Sequence, residues 1–117
     1  MSKAPPRLVR RTDLTFTPRF EYGDQAQVAP VCGADDGTAL GTGFVRLTDA
    51  DIPWTIKYDE VIHVLEGQFT VRTNSGDLTA QAGDCIWLPA GTELSYVSQS
   101  ALLFYAIQPS NWAESQT

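Results

Sequence analysis

Apolar and polar positions alternate along this chain in short runs, and no stretch sustains the spacing of an amphipathic helix. "DLTFTPRF" reads as an edge strand, where Pro18 is tolerated because an outward-facing position needs no ladder bond. "QVAPVCG" follows, and the glycine-rich "GADDGTALGTG" then runs into "FVRLT". After it come "PWTI", "EVIHVL", "QFTVRT", "LTAQA", "CIWLP", "ELSYVS" and "ALLFYAI", all rich in β-branched and aromatic residues. "LEGQ", "NSGD" and "PAGT" each supply the glycine of a tight reversal. About ten short strands without crossover helices predict an all-β, single-domain jelly roll, a double-stranded β-helix closed as a barrel.

A chain of 117 residues holds one such domain and can bury an ordinary core without disulfides or metal. The net charge of −6 is unevenly placed. Lys3, Arg7, Arg10 and Arg11 lie in an acid-free N-terminal stretch, which leaves four bases against fourteen acids in the remainder. The expected organisation is a flexible basic arm over residues 1–12, the barrel over 13–112 and a polar tail over 113–117, with Trp112 as the anchor of the chain's end. So acidic a body repels nucleic acid and anionic membrane, and neither is expected as a partner. The basic arm by itself could contact either of these, or could lie on that acidic body or on a partner subunit. Cys32 and Cys85 have neither disulfide-framework nor zinc-site spacing and read as buried structural thiols. With no apolar signal region and no run long enough to span a membrane, the expected location is the cytoplasm.

"PWTIKYDEVIHVLEG" and "GDCIWLPAG" carry a more specific pattern. Glu60 and Gly67 match the end of the first motif of the cupin family, with its six-residue gap. Gly83, Pro89 and Gly91 match the start of the second. The metal-binding histidines of those motifs are replaced by Trp54, Ile56 and Leu94, the closing asparagine by Ser98, and the opening glycine by Thr48. Trp54, Tyr58, Asp59 and Glu60, together with the ending Pro109, Asn111 and Trp112, resemble the ethanolamine-utilization EutQ family of cupins and, more broadly, the short single-domain cupins. That resemblance implies a cupin barrel, a homodimer and an association with ethanolamine breakdown. An acetate kinase activity is attributed to the family, whose members carry a further N-terminal region absent from this sequence.

Of four metal ligands implied by the resemblance, only Glu60 remains, and transition-metal sites draw on several donors. The expectation is no metal and no cofactor. His63, three residues past Glu60, falls on the opposite face of a regular strand, where it and the outer positions of "EVIHVL" offer surface to a second copy. Phosphoryl transfer needs cations around phosphate, and "GADDGTALGTG" lacks the following Gly-Lys-Ser/Thr. Arg19, Arg46, Lys57 and Arg72 are the body's cations; a Mg2+ site at Asp59 and Glu60, completed by a nucleotide, is physically possible. A carboxylate in an apolar cavity is a natural proton-transfer group. The candidate catalytic residues are therefore Glu60 and Tyr58, and the candidate pocket for a small-molecule ligand is Trp54, Ile56, Leu94 and Tyr96. A non-catalytic binding module and a dimeric scaffold remain the alternatives.

Overall fold

The computed structural model describes residues 3–112. Seven strands form: β1 (Thr17–Pro18), β2 (Ala26–Cys32), β3 (Gly41–Thr55), β4 (Asp59–Thr73), β5 (Gly76–Gln81), β6 (Cys85–Leu88) and β7 (Glu93–Gln108). Single turns of 3-10 helix at Arg11–Asp13, Phe20–Tyr22 and Ala34–Asp36 interrupt the N-terminal third. Ten short segments become seven strands because β3, β4 and β7 each join two predicted runs into one strand of 15 or 16 residues.

All pairings are antiparallel, in the order β1-β2-β3-β7-β4-β5, with β6 also on β4. Strand spacing predicts a closed jelly-roll barrel, and the structure corrects this: among the described residues nothing pairs β1 with β5 or β6, so the sheet stays open. The reason lies at the β1 edge. Of "DLTFTPRF" only Thr17–Pro18 is strand, Pro18 has no N–H to offer, and a 3-10 turn follows directly. Too little ladder remains there to meet the far edge.

The three long strands nevertheless bend around one interior. Inward positions in β4 are Glu60, Ile62 and Val64 and then, with the opposite parity, Phe69 and Val71. β7 switches likewise between Ser98 and Ala101, and β3 between Leu47 and Ala50, around Asp49 with its φ of 43°. A regular strand would turn one of its two apolar sets to solvent. In β4 the switch is made by a bulge, where the register slips between Val64 and Glu66 and again between Gly67 and Thr70. "LEGQ", predicted as a reversal, is thus the corner of a continuous strand.

Side chains stitch the corner where the ladder is broken. Ser98 Oγ donates to Gln68 O at 2.7 Å. Gln25 accepts from Thr48 N through its carbonyl at 3.0 Å and from Asp51 N through its side chain at 2.8 Å. The apolar core, including Ile56, Tyr58, Ile62, Val64, Phe69, Val71, Leu88, Leu94 and Leu103, fills the interior.

The described part of the N-terminal arm lies on the acidic body. Arg7 pairs with Asp36 at 2.9 Å and also donates to Val31 O, and Arg11 pairs with Glu66. Phe16 stacks with Arg46 at 5.6 Å. Glu66 and Arg46 flank Leu102 in register, so residues 11–16 pass over that side chain, which is 1% exposed. Residues 113–117, predicted as a tail, lie outside the described residues.

Gly67 has a φ of 82°, and a Cβ there would stand 2.1 Å from Ser100 O. Gly67→Ala is expected to destabilise the fold by about 3 kcal/mol or more, combining left-handed strain with backbone overlap. Thermal unfolding checks this, with Ser98→Ala as a milder comparison at about 1 kcal/mol.

Candidate functional site

A cavity of about 60 Å3 lies inside the curled sheet. Its walls come from both halves of the long strands: Val45, Leu47, Ile52 and Trp54 of β3, Glu60, Ile62 and Phe69 of β4, and Tyr96, Leu103, Tyr105 and Ile107 of β7. Ala26, Tyr58 and the segment carrying Arg19 and Tyr22 complete it. Among the described residues Glu60 is the only carboxylate and Arg19 the only cation on this wall.

Alternation along β4 turns Glu60 inward between Leu88 of β6 and Ile107 of β7, leaving it 7% exposed. From the other half of the curled sheet, Tyr96 donates its hydroxyl to Glu60 Oε1 at 2.8 Å, a bond that spans the interior. Tyr96 is held by Phe69, whose ring is stacked 5.9 Å away. Burial pushes the Glu60 carboxyl up to about 7, while the Tyr96 hydrogen bond and the Arg19 charge pull it back by less. Tyr96 itself is pushed well up, first by burial and then by Glu60. At neutral pH, therefore, the carboxyl exchanges its proton readily and the Tyr96 phenol keeps its own.

Tyr58, 2% exposed just ahead of β4, has its phenol raised by burial and then by the charge of Glu60. Its hydroxyl oxygen accepts from Arg19 Nη2 at a long 3.5 Å. Trp54 at the end of β3 points its buried Nε1–H toward Tyr58 without completing a hydrogen bond among the described residues. Behind both rings stands Trp112, edge-on to Trp54 at 5.8 Å and tilted on Tyr58 at 5.2 Å. Ser110 fixes the chain there, donating its N–H to Ala39 O and its hydroxyl to Thr38 O, each at 2.7 Å.

Of the residues that sequence reasoning singled out, Glu60, Tyr58, Trp54 and Tyr96 share this cavity. Ile56 and Leu94 do not line it. Ile56 lies just past β3, its backbone bonded to Thr92 and Gly91, and Leu94 pairs with Trp54, so both side chains sit in the core. Phe104 and Trp87 also stay off the cavity wall: Phe104 packs edge-on against Phe44, and Trp87 is 58% exposed. Arg19, Tyr22 and Tyr105 line the wall without having been chosen as site residues. Tyr105 carries a usable signal, two residues from both Leu103 and Ile107 and so on the same strand face; Arg19 and Tyr22 lie in aperiodic chain and carry none.

The donor set does not fit a transition metal. Among the described residues no three of His, Cys, Asp and Glu come together, and His63 faces Cys85 on the far side of the sheet from Glu60. Asp59 does not join Glu60 either, because its exposed carboxylate accepts from Ala90 N at 2.9 Å. No helix among the described residues is long and apolar enough to cross a membrane.

Comparison with known proteins bears on this geometry. The family model described as "Ethanolamine utilisation protein EutQ" matches residues 13–114. The acetate kinase EutQ of Escherichia coli K12 is 38% identical over 79 residues, which are 67% of this chain and 34% of that protein. The acetate kinase EutQ of Clostridioides difficile 630 is 26% identical over 80 residues, 68% of this chain and 51% of that protein. This chain thus spans between about a third and a half of the length of these relatives. A crystal structure of ethanolamine utilization protein Q from Salmonella typhimurium LT2 superposes with a TM-score of 0.83 at 26% identity, covering 89% of this chain and 86% of that one. The family model covers the whole of the sheet and the cavity it encloses, and the chain belongs to the EutQ family of ethanolamine utilisation proteins.

Proposed function

We propose that this chain binds a small organic molecule of a few heavy atoms in its cavity and moves a proton on it without a metal ion. Glu60 is the acid–base group. One observation carries the reading: the cavity's only carboxylate is buried, set on its wall and held up to about 7, where an acid–base group works best at neutral pH. Tyr96 orients that carboxyl. Tyr58, Trp54 and Arg19 supply donors for an oxygen of the ligand.

The relatives' acetate kinase activity suggests a small carboxylate or acyl compound as ligand, and 60 Å3 suits molecules of that size. Phosphoryl transfer itself finds less support, because Arg19 is the single cation on the wall and charge on a transferring phosphoryl group needs more. The proposed setting is a cytoplasmic homodimer in small-molecule metabolism, with no nucleic-acid partner.

The test incubates the protein in D2O with two- to four-carbon aldehydes, ketones and carboxylates and follows hydrogen exchange next to the carbonyl by NMR. The wild type is expected to exchange at least one. Glu60→Gln should slow it by about a hundredfold or more, with binding, read from tryptophan fluorescence, little changed. If no compound exchanges but some bind, the protein is a binding module. If acetyl phosphate and ADP are turned over instead, it is a kinase.

Tyr96→Phe removes a bond that favours the charged carboxylate, so Glu60 should titrate higher and any limb of the rate profile that needs its basic form should move to higher pH. Tyr58→Phe should cost about ten- to a hundredfold, as loss of one donor does.

Glu60 also couples folding to pH. Its folded value near 7 exceeds the ordinary 4.5, so its burial is unpenalised below 4.5 and stability falls as pH rises toward 7. The full loss from this group is about 3 kcal/mol. Glu60→Gln should abolish that fall, making the variant the more stable protein at pH 8 in urea titrations.

A further inference from the structure

On the outer face, away from the cavity, the chain's one histidine meets its one exposed cysteine. His63 of β4 and Cys85 of β6 are directly opposed in register, with Nδ1 and Sγ 3.3 Å apart. Phe104 of β7 is the register partner of His63 on its other side. The nitrogen facing the sulfur can take the thiol's proton, and a thiolate beside an imidazolium is the nucleophilic form of cysteine.

The sulfur also opens onto a groove. β5 and β6 both lie beside β4 but do not pair with each other, and Cys85, Trp87, Leu78, Asp77 and Asp84 line the space they leave. Trp87 and Leu78, 58% and 47% exposed, add apolar surface to its lining. The charged side chains on the groove's lining are Asp84, whose carboxylate accepts from Gln81 N, and Asp77, which lies 3.7 Å from Arg72. β7 adds only Phe104 and Ala106 beside His63 and Val61. Carboxylates on the lining disfavour an anionic ligand relative to a neutral or cationic one.

We propose that Cys85, with His63 as its base, is a nucleophilic thiol that exchanges with small neutral or cationic disulfides in this groove. The Sγ–H bond breaks and its proton passes to His63 Nδ1. Sγ bonds to one sulfur of the disulfide, and the S–S electron pair leaves with the other sulfur, which takes the proton back from His63. One thiol and one disulfide become one mixed disulfide and one thiol. Cys32 has no such base: its sulfur lies 3.2 Å from Thr42 Oγ1 and 3.7 Å from Leu40 O.

The experiment treats the intact protein with cystamine at pH 7 and follows each cysteine by peptide mass spectrometry, with Cys32 as internal control. Cys85 is expected to form the mixed disulfide about tenfold faster than Cys32, and faster than it does itself in the urea-unfolded chain. His63→Gln should slow Cys85 about fivefold and leave Cys32 unchanged, the latter also reporting that the fold is intact. The anionic glutathione disulfide should react more slowly than cystamine. A rate at Cys85 no greater than in the unfolded chain, or unaffected by His63→Gln, overturns the proposal. Equal rates for the two disulfides overturn its choice of ligand charge.

Discussion

Three adjacent strands must keep their apolar side chains on one side of the sheet while turning back on themselves, and the cavity exists only because they switch phase along one line. Asp49 in β3, the segment between Ser98 and Ala101 in β7, and the bulge from Leu65 to Gln68 in β4 make that line. Any one of them kept regular would turn a half-strand of core to solvent. The contact at the centre of the line is backbone on backbone: Gly67 against Ser100 O and Ala101 Cα. Ser98 and Gln25 repair the hydrogen bonds that the corner interrupts. With the corner in place, Glu60 from one half and Tyr96 from the other arrive within 2.8 Å of each other.

That meeting explains how a buried carboxyl survives in an interior built of leucine, isoleucine and aromatic rings. Isolated, it would be neutral throughout the physiological range. Tyr96 and Arg19 return enough stabilisation to the charged form to hold it near neutrality. The protein thereby carries a group that opposes its own folding at alkaline pH, a cost that a purely structural residue in the same place would avoid.

Much of this was legible in the sequence, for reasons tied to particular residues. Apolar alternation in "EVIHVL", "QFTVRT" and "ALLFYAI" gave the strands, since side-chain period follows from backbone pleat. Glu60, Gly67, Pro89 and Gly91 marked the motifs, and the loss of histidine at Trp54, Ile56 and Leu94 showed that metal donors were missing. Closure was not legible, because it depends on whether β1 and the far edge can share a ladder, and nothing local to "DLTFTPRF" reports that pairing. Nor was the corner: a glycine with positive φ serves a reversal and a bulge equally well. Arg19 reaches the cavity through a turn outside any periodic pattern, so its place follows from tertiary structure alone.

A cavity without a cluster of metal donors among the described residues supports a different kind of chemistry from a metal centre. A metal centre stabilises developing negative charge through its own positive charge. Under the proposed function that duty would fall to the donors on the cavity wall, namely the Arg19 guanidinium, the Tyr58 hydroxyl and the indole N–H of Trp54, which has no hydrogen-bond partner among the described residues. Such donors stabilise one oxygen well and a multiply charged phosphoryl group poorly, because a single guanidinium cannot offset more than one charge. The surrounding acidity of the chain, −6 overall, works in the same direction by disfavouring polyanions near the surface. The electrostatics of the cavity and of the whole molecule therefore act in the same direction, and both accord with the proposed proton transfer at Glu60 better than with phosphoryl transfer.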